Sequence, residues 1–538
     1  MTTLDLSIIG IYFLVVLTVG LVYSRYKKET PRSYFLAGRN LSWFIIGLSM
    51  FAANISSEHL VGLAGYGASR GFAVGNIEWL AIPFLMLLGW FFAPLFLKTG
   101  IFTVPEFLGK RYNNKIRLYL SGISIIAYVL TKISVSLFAV GLILKAVLGW
   151  DIYTSALVMM VITGVYTIIG GMRAVMFTST IQVFFLLAGS IILTLFGLQE
   201  VGGISTLHAQ LPQDYFTIFK PFSDPDFPWT GILFGAPILA IWYWCTDQYI
   251  VQHILCAKNI EAARGGTLLT GFLKILPMFI MVLPGLIAAV IYPGVRGDEA
   301  YATLLTGSLL PAGLKGLVLA GVLAALMSSL AASFISTSTL FTMDFYRHFK
   351  PDAPDRKLVL VGHLSTIAMV AVGILWIPVV RLLNSHIYLH LQSIQAYISP
   401  PIAAVFLLGI TWKRAGSKGA FTALIIGGIL GTLRLILEWM DKTVHFQSNL
   451  IQLYLQINFL HFAVLLFGIS VAVVIAVSVL ETAPSPHRIR EFLIPWDQYS
   501  FKTKKIEFTS PAPIGNKKSQ LLSIALLLVL IGLWRIFS

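Results

Sequence analysis

Stretches of about 20 apolar residues recur along the whole of this 538-residue chain. A helix of that length spans the roughly 30 Å hydrocarbon core of a bilayer. Only 11% of the residues are charged, against about 25% in soluble domains. We therefore expect an all-α integral membrane protein, and the composition excludes an enzyme or a nucleic-acid-binding protein built on one aqueous core. Fourteen membrane-spanning helices are predicted, near residues 5–24, 42–70, 77–98, 118–148, 152–170, 176–198, 229–253, 267–293, 312–342, 359–381, 388–411, 418–437, 459–481 and 521–537.

The distribution of Lys and Arg predicts the orientation of these helices, because positively charged loops resist translocation across a membrane. If the N-terminus lies outside, the connections that face the cytoplasm hold 27 of the 38 Lys and Arg residues, and the outer connections hold about five. Both termini are therefore predicted to lie outside. The net charge of +15 then reflects topology and does not indicate a nucleic-acid partner. The inner connections on this assignment are 25–41, 98–117, 171–175, 254–266, 343–358, 412–418 and 482–520.

The ends of the chain and its loops add a weaker indication of the compartment. The first apolar run has no basic residues before it and no small-residue cleavage site after it, so it is predicted to be retained. Cys245 and Cys256 lie too far apart along one predicted helix to form a disulfide. The predicted outer loops also contain no Asn-x-Ser/Thr sequon. We interpret this pattern as typical of a multi-pass protein of a bacterial inner membrane.

Polar residues interrupt the second predicted helix in the segment FAANISSEHLVGLAGYG. Its polar residues cannot all face one side of a helix, so we expect a break near mid-membrane whose free carbonyls bind an ion or solute. The alternative is a helix end that emerges at the surface. The residues concerned are Asn54, Ser56, Ser57, Glu58 and His59.

A second interruption occurs in WYWCTDQY, which includes Tyr243 and Trp244. Aromatic rings stack on the apolar faces of sugars, although an interfacial aromatic belt is an equally ordinary interpretation. Glu78 and Lys274 are isolated charges in apolar helices, and each is either an interfacial group or a cavity wall. Lys132 and Lys145 are interpreted as side chains that reach for the membrane surface.

Two further segments carry polar groups that suit a small ligand. Ser328 and Ser329 lie among small residues, which favour close helix packing, but adjacent hydroxyls that face free carbonyls also suit a hard cation such as sodium. Gln392 can both donate and accept hydrogen bonds, which suits a polyol. The sequence contains no Walker loop and no serine-histidine-acid set in a supporting context, so ATP-driven pumping is not expected.

These segments resemble the sodium/glucose cotransporter branch of the solute:sodium symporter family over nearly the whole chain. The matching strings are FAANISSEHLVGLAG, WYWCTDQYIVQ, LMSSLAASFISTSTLFTMD and LQSIQAYISPPIAAVFLLGITWKR. The resemblance implies a LeuT-like fold with two inverted five-helix repeats, at 42–198 and 229–411, each opened by a discontinuous helix. The remaining parts would be an extra N-terminal helix with its inner loop (1–41), an outer loop (199–228), additional helices (412–481), a basic cytoplasmic linker (482–520) and a last helix (521–538).

The resemblance also implies two groups of binding residues. Glu78 and Lys274 would neutralise each other in the cavity wall, Tyr243 would be the inner lid over the sugar ring, and Gln392 would bind a hydroxyl or the ring oxygen. The sodium ligands would be the backbone carbonyls of Ala52, Ile55 and Ala325 and the hydroxyls of Ser328 and Ser329. The sugar-binding residues would be Asn54, His59, Glu78, Tyr243, Trp244, Lys274 and Gln392.

Three positions depart from the family pattern. Ser179 stands where an acidic residue is usual, so we expect no second cation site and one sodium ion per sugar. Ala240 replaces a residue that often contacts substrate, and His253 replaces a usual Arg near the inner gate. These two departures leave open which sugar is carried and which charged residues pair at the inner gate.

The sequence therefore predicts sodium-coupled symport of a neutral hexose, such as glucose or galactose, into the cell by alternating access. The protein would be no enzyme, its partners would be the sugar, Na⁺ and the lipid bilayer, and its oligomeric state stays undetermined. One alternative is symport of another small solute, such as myo-inositol or an anionic sugar. Another is a sugar-gated sensor or leak channel, which would not accumulate solute.

Overall fold

The computed structural model describes residues 1–24, 30–56, 58–295, 297–380, 387–444, 446–494 and 516–537. Throughout these ranges the secondary structure is helical, and the only strand-like pairing is two isolated bridges, Leu41 with Ala257 and Lys220 with Pro228.

The main helical segments follow one another along the chain. They are α1 (Thr3–Ser24), α2 (Trp43–Asn54), α3 (Glu58–Thr99), α4 (Asn114–Leu148), α5 (Ile152–Val201), α6 (Gly231–Thr246), α7 (Gln248–Leu255), α8 (Ile260–Ile291), α9 (Leu314–Phe349), α10 (Asp355–Val380), α11 (Ile387–Thr411), α12 (Ser417–Val444), α13 (Phe459–Leu480) and α14 (Lys517–Ile536). Shorter helices in the connections are Pro31–Leu36, Val104–Arg111, Ile204–Gln210, Glu299–Thr306, Asn449–Gln456 and Pro486–Ile489.

Eleven helices in the described residues are long and apolar enough to cross a membrane, and α2 and α6 are shorter apolar helices. The chain is therefore a multi-pass membrane protein, as its hydropathy predicts. Each of the fourteen predicted apolar runs falls on helical segments, but the number of crossings and the side on which the termini lie stay predictions.

Glycines make the sharp bends in the two longest segments. Gly71 in α3 has φ +78°, and Gly171 in α5 has φ +58°, a backbone conformation that side chains disfavour. A Cβ on Gly171 would also meet the backbone oxygen of Tyr34 at 2.7 Å. Each segment therefore folds into two helical legs, which agrees with the predicted runs on either side of each bend.

Helix α9 lies at the centre of the molecule. Every residue of its most apolar 18-residue window is buried, and it packs along α5, α1 and α10. Ala, Ser and Gly residues allow this close packing. Cys245 and Cys256 are both buried free thiols.

Both ends of the described chain lie among connections that the charge pattern assigns to the outer side. Asp5 accepts hydrogen bonds from the backbone of Gly313 and Gly316. At the other end, the carbonyl of Phe537 accepts from the amide of Ile218 in the 199–228 connection. That connection is held to α3 by Arg70, whose Nη2 lies 3.2 Å from Asp224 Oδ2.

Candidate functional site

The first interruption lies between α2 and α3, where the sequence predicts it. Helix α2 ends at Asn54, and Ile55 is extended with φ −75° and ψ 99°. The chain resumes as a π-helical turn at Glu58, whose amide donates to Ser56 Oγ at 3.2 Å. Ser57, which the sequence analysis included among the polar residues, lies outside the described residues. The surrounding residues are buried, so a helix end emerging at the surface is excluded.

The second interruption lies between α6 and α7, at Asp247. This residue is extended with φ −73° and ψ 124°, and its carboxylate accepts from the amide of Tyr249 at 3.2 Å as the N-cap of α7. Tyr128 of α4 donates a hydrogen bond to the same carboxylate. The aromatic residues Tyr243 and Trp244 precede the break, in a π-helical turn that ends α6.

The last turn of α2 has backbone carbonyls that no later helical amide can satisfy. Side chains from other helices bind them. Ser328 Oγ of α9 donates to the carbonyl of Ala52 at 2.8 Å and lies 2.9 Å from the carbonyl of Ala325. The hydroxyl of Tyr249 donates to the next carbonyl, that of Ala53. We call the oxygens of Ala52, Ala325, Ser328, Ser329 and Ser136 the serine cluster.

The remaining two predicted sodium ligands are Ser329, whose hydroxyl has other partners, and Ile55. Ser329 Oγ donates to the carbonyl of Leu326 at 3.0 Å and lies 3.4 Å from Ser136 Oγ. Ile55 is fully buried at the break. Ser136 of α4 is a hydroxyl that the sequence analysis missed, because a single Ser in an apolar helix gives no signal of its own.

All seven predicted sugar-binding positions line one internal space, together with the departure residue Ala240. We call this space the charged cavity. Its volume is about 60 Å³, enough for several water molecules. The seven are Asn54, His59, Glu78, Tyr243, Trp244, Lys274 and Gln392, and the cavity is also lined by Glu58, Lys132 and Gln395.

The predicted pairing of Glu78 with Lys274 is present in the structure. Lys274 Nζ contacts Glu78 Oε2 and donates to Asn54 Oδ1 at 2.8 Å. Asn54 in turn donates to the hydroxyl of Tyr243 at 3.1 Å. Since Glu78 and Lys274 are almost fully buried, the alternative interpretation of both as interfacial groups is excluded. A buried ion pair of this kind keeps each charge compensated.

A second ion pair lies in the same cavity, and the sequence interpretation of Lys132 was wrong. This lysine does not reach for the membrane surface: it is 4% exposed, and its Nζ lies 3.3 Å from Glu58 Oε1. His59 lies between the two pairs, with Nδ1 3.6 Å from Glu58 Oε1 and Nε2 3.4 Å from Glu78 Oε1. The described lining thus combines two carboxylates with two ammonium groups.

The two cavity aromatics are buried against these cations, so the interpretation of Tyr243 and Trp244 as an interfacial belt is also wrong. Lys132 Nζ lies 4.7 Å from the ring centroid of Tyr243, and Lys274 Nζ lies 5.6 Å from that of Trp244. Both distances allow cation–π attraction. Tyr388 is a further neighbour that the sequence analysis missed, and its hydroxyl donates to Glu78 Oε1 at 3.3 Å.

The other departures from the family pattern are also buried. Ser179 and His253 are each about 1% exposed or less, and within the described chain the Ser179 hydroxyl has no hydrogen-bond partner. A hydroxyl there carries no charge to hold a second cation. In the part of the chain that the structure covers, His253 forms no ion pair, unlike an arginine that would need one.

This geometry defines a class of protein: a membrane transporter whose interrupted helices bring an oxygen cluster and a polar cavity together. The fold agrees with solved transporters. A Na⁺-coupled sialic acid symporter in a substrate-bound outward-open state superposes with a TM-score of 0.78 at 22% identity, covering 90% of this chain and 99% of that one. A nucleobase-cation-symport-1 family transporter superposes with a TM-score of 0.56 at 15% identity, covering 87% and 99%.

The sequence comparisons identify the family. The model of the sodium:solute symporter family matches residues 34–427, and this chain belongs to that family. Sodium/glucose cotransporter 1 of Oryctolagus cuniculus is 40% identical, over 94% of this chain and 82% of its own. Sodium/glucose cotransporter 2 of Rattus norvegicus is 39% identical, over 95% and 84%. Sodium/glucose cotransporter 4 of Danio rerio is 38% identical, over 96% and 84%.

Proposed function

We propose that this protein carries a neutral hexose into the cell by sodium-coupled symport. The family membership and the names of relatives near 40% identity support this activity. The observation that carries the proposal is the position of α2, which contributes the Ala52 carbonyl to the serine cluster and the Asn54 side chain to the charged cavity. One helix end therefore serves both groups.

Sodium would bind at the serine cluster. Hard cations prefer oxygen ligands, and the hydroxyl of Ser328 already lies within 2.9 Å of two backbone carbonyls. A bound ion would lie between these oxygens, with Ser328 still protonated and its O–H turned away from the ion. Ser329 and the carbonyl of Ile55 would complete the ligand set after a small rearrangement.

The charge balance of the cavity favours a neutral substrate. Lys274 is compensated by Glu78 and Lys132 by Glu58, so a carboxylate-bearing solute would find no unpaired cation in this lining. The same groups and Gln392 can exchange hydrogen bonds with sugar hydroxyls. Symport of myo-inositol stays an alternative, since a cyclic polyol offers the same hydroxyl chemistry.

Coupling follows from linkage between the two ligands. Sodium would fasten α2 to α9 and so hold Asn54 where a sugar needs it. With one ion per sugar, about 2.3 kcal/mol per charge at 100 mV and about 1.4 kcal/mol per tenfold sodium gradient would sustain a few-hundred-fold accumulation. The uncharged Ser179 supports this single-ion stoichiometry.

Alternating access would require the cavity to open to each side of the membrane in turn, because the side chains that line it are buried. We propose that the repeats at 42–198 and 229–411 rock against each other, with Tyr243 as the inner lid and both termini outside. Placement in a bacterial inner membrane is part of this proposal. It rests on the loop composition alone, and the relatives named above are animal proteins.

Uptake into sealed proteoliposomes tests the function. We expect an inward sodium gradient to drive accumulation of radiolabelled glucose or galactose above the outside concentration, and a potassium gradient to drive none. Myo-inositol and gluconate are measured in parallel, so accumulation of either one alone would select the corresponding alternative. Sugar equilibration without accumulation would identify a leak channel and reject symport.

A further inference from the structure

An apolar groove whose lining shares no residue with the charged cavity lies between α2, α8 and α14. Its volume is about 440 Å³, within the roughly 300–1,000 Å³ range of small-molecule sites. The walls include Trp43 of α2, Leu268 and Phe272 of α8, and Leu522 of α14. Trp43 and Leu522 are exposed on the outer face of the helices, where a bilayer would surround them. A lipid chain therefore has direct access to this groove.

The mouth of the groove carries positive charge. Lys258, just before α8, and Lys518, in the first turn of α14, line it and are exposed. The acidic residue of the described lining is Glu261, which is bound by Arg264 Nη1 at 2.8 Å and by Ser519 Oγ at 3.3 Å. Since Arg264 compensates Glu261, the two lysines leave the mouth positively charged.

We propose that this groove binds one acidic phospholipid, with an acyl chain against Trp43, Phe272 and Leu522 and the phosphate at Lys258 and Lys518. Basic pockets between membrane helices bind acidic headgroups in this way. Charge complementarity selects the acidic lipid over phosphatidylcholine, whose headgroup is neutral overall. Both lysines also lie in connections that the charge pattern assigns to the cytoplasmic side.

Two of the helices that form the groove, α2 and α8, also carry residues of the charged cavity. Helices α2 and α8 pack closely, with Thr270 Oγ1 donating to the Gly47 carbonyl at 3.0 Å. Asn54 at the end of α2 and Lys274 near the middle of α8 bind each other in the cavity. A lipid between α14 and these two helices would hold their starting ends together. The binding proposal itself stands without the proposed function.

Native mass spectrometry of the full-length protein tests the site. After reconstitution with phosphatidylcholine and phosphatidylglycerol, we expect one phosphatidylglycerol to stay bound. The K258Q/K518Q variant is expected to bind it roughly 10- to 30-fold more weakly, given the contribution of each basic residue near an anionic surface. The matched control is K357Q/K413Q, which removes two exposed lysines elsewhere, and it should bind as the wild type does.

A second variant and a crosslink keep the test decisive if K258Q/K518Q folds poorly. L522W fills the groove without changing charge and should also lower retention, while inorganic phosphate should not displace the lipid. A photoreactive phenylalanine at position 522 should capture phospholipid. Equal retention in K258Q/K518Q and its control, retention of phosphatidylcholine, displacement by phosphate, or capture of residues 495–515 or of a second copy would each overturn the proposal.

Discussion

The serine cluster and the charged cavity are neighbours on α2, yet their chemistry differs. The serine cluster contains hydroxyls and backbone carbonyls and no ionised side chain among the residues that form it. The charged cavity contains two ion pairs joined by His59. A sodium ion brings its own charge, so neutral oxygens suffice to bind it. A neutral sugar brings only hydroxyls, and paired charges provide strong donors and acceptors without a net charge.

Breaking the Glu78–Lys274 pair should have the largest effect. In Lys274→Met the carboxylate of Glu78 loses its buried partner, at a cost of about 3–5 kcal/mol, and Asn54 loses its donor. We expect lower thermal stability and no detectable hexose uptake. The double variant K274M/E78Q should recover the stability but not the uptake, as measured by thermal melts and by flux assays. Wild-type stability of K274M alone would contradict this assignment.

Ser328→Ala tests the serine cluster and should have the next largest effect. The change removes the hydroxyl that joins the Ala52 and Ala325 carbonyls and one proposed sodium ligand. We expect the sodium concentration for half-maximal uptake to rise about 10- to 100-fold, in line with about 1–3 kcal/mol for an unsatisfied polar group. Sugar binding without sodium should change little. The hydroxyl of Ser329 donates to the carbonyl of Leu326. Ser329→Ala should also reduce the stimulation of uptake by sodium, by a smaller factor than Ser328→Ala.

Glu58→Gln asks whether the second ion pair sets selectivity for neutral solutes. The change leaves Lys132 uncompensated in the cavity. Hexose uptake should fall by roughly tenfold, and uptake of an anionic sugar such as glucuronate should appear, because charged hydrogen bonds are worth about 1.5–3 kcal/mol. The control is Glu106→Gln, which removes a carboxylate paired with Lys110 in a connection. Unchanged selectivity in E58Q would remove Glu58 from the substrate site.

Gln392→Glu should have the smallest effect and should act on the sugar alone. Gln392 lines the cavity and lies on α11, away from the serine cluster. Loss of the amide donor is expected to weaken sugar affinity about fivefold, the net worth of one hydrogen bond, with less change in sodium affinity. Uptake measured over a grid of sugar and sodium concentrations separates the two. Equal loss of both affinities would mean that Gln392 is structural.

The two helix breaks were predictable because a polar side chain in a membrane span is costly unless it has a partner or faces a cavity. Asn54 and His59 marked one break, and Asp247 marked the other. The pairing of Glu58 with Lys132 was not predictable in the same way. These residues are 74 positions apart, and each alone is compatible with a surface position. An opposite charge in another predicted span was the available signal, but sequence gives no distance between spans.

Hydropathy determined by itself that this chain spans a membrane, and the spacing of polar residues indicated where two apolar runs are interrupted and which residue types lie there. These properties are local, because each membrane-spanning segment must satisfy its own backbone hydrogen bonds in lipid. Tertiary structure decided which carbonyl Ser328 binds, which lysine neutralises which carboxylate, and which side chains share the cavity. Those contacts join α2, α4, α8 and α9, and only the packing of separate helices sets the distances on which a charge or a hydrogen bond depends.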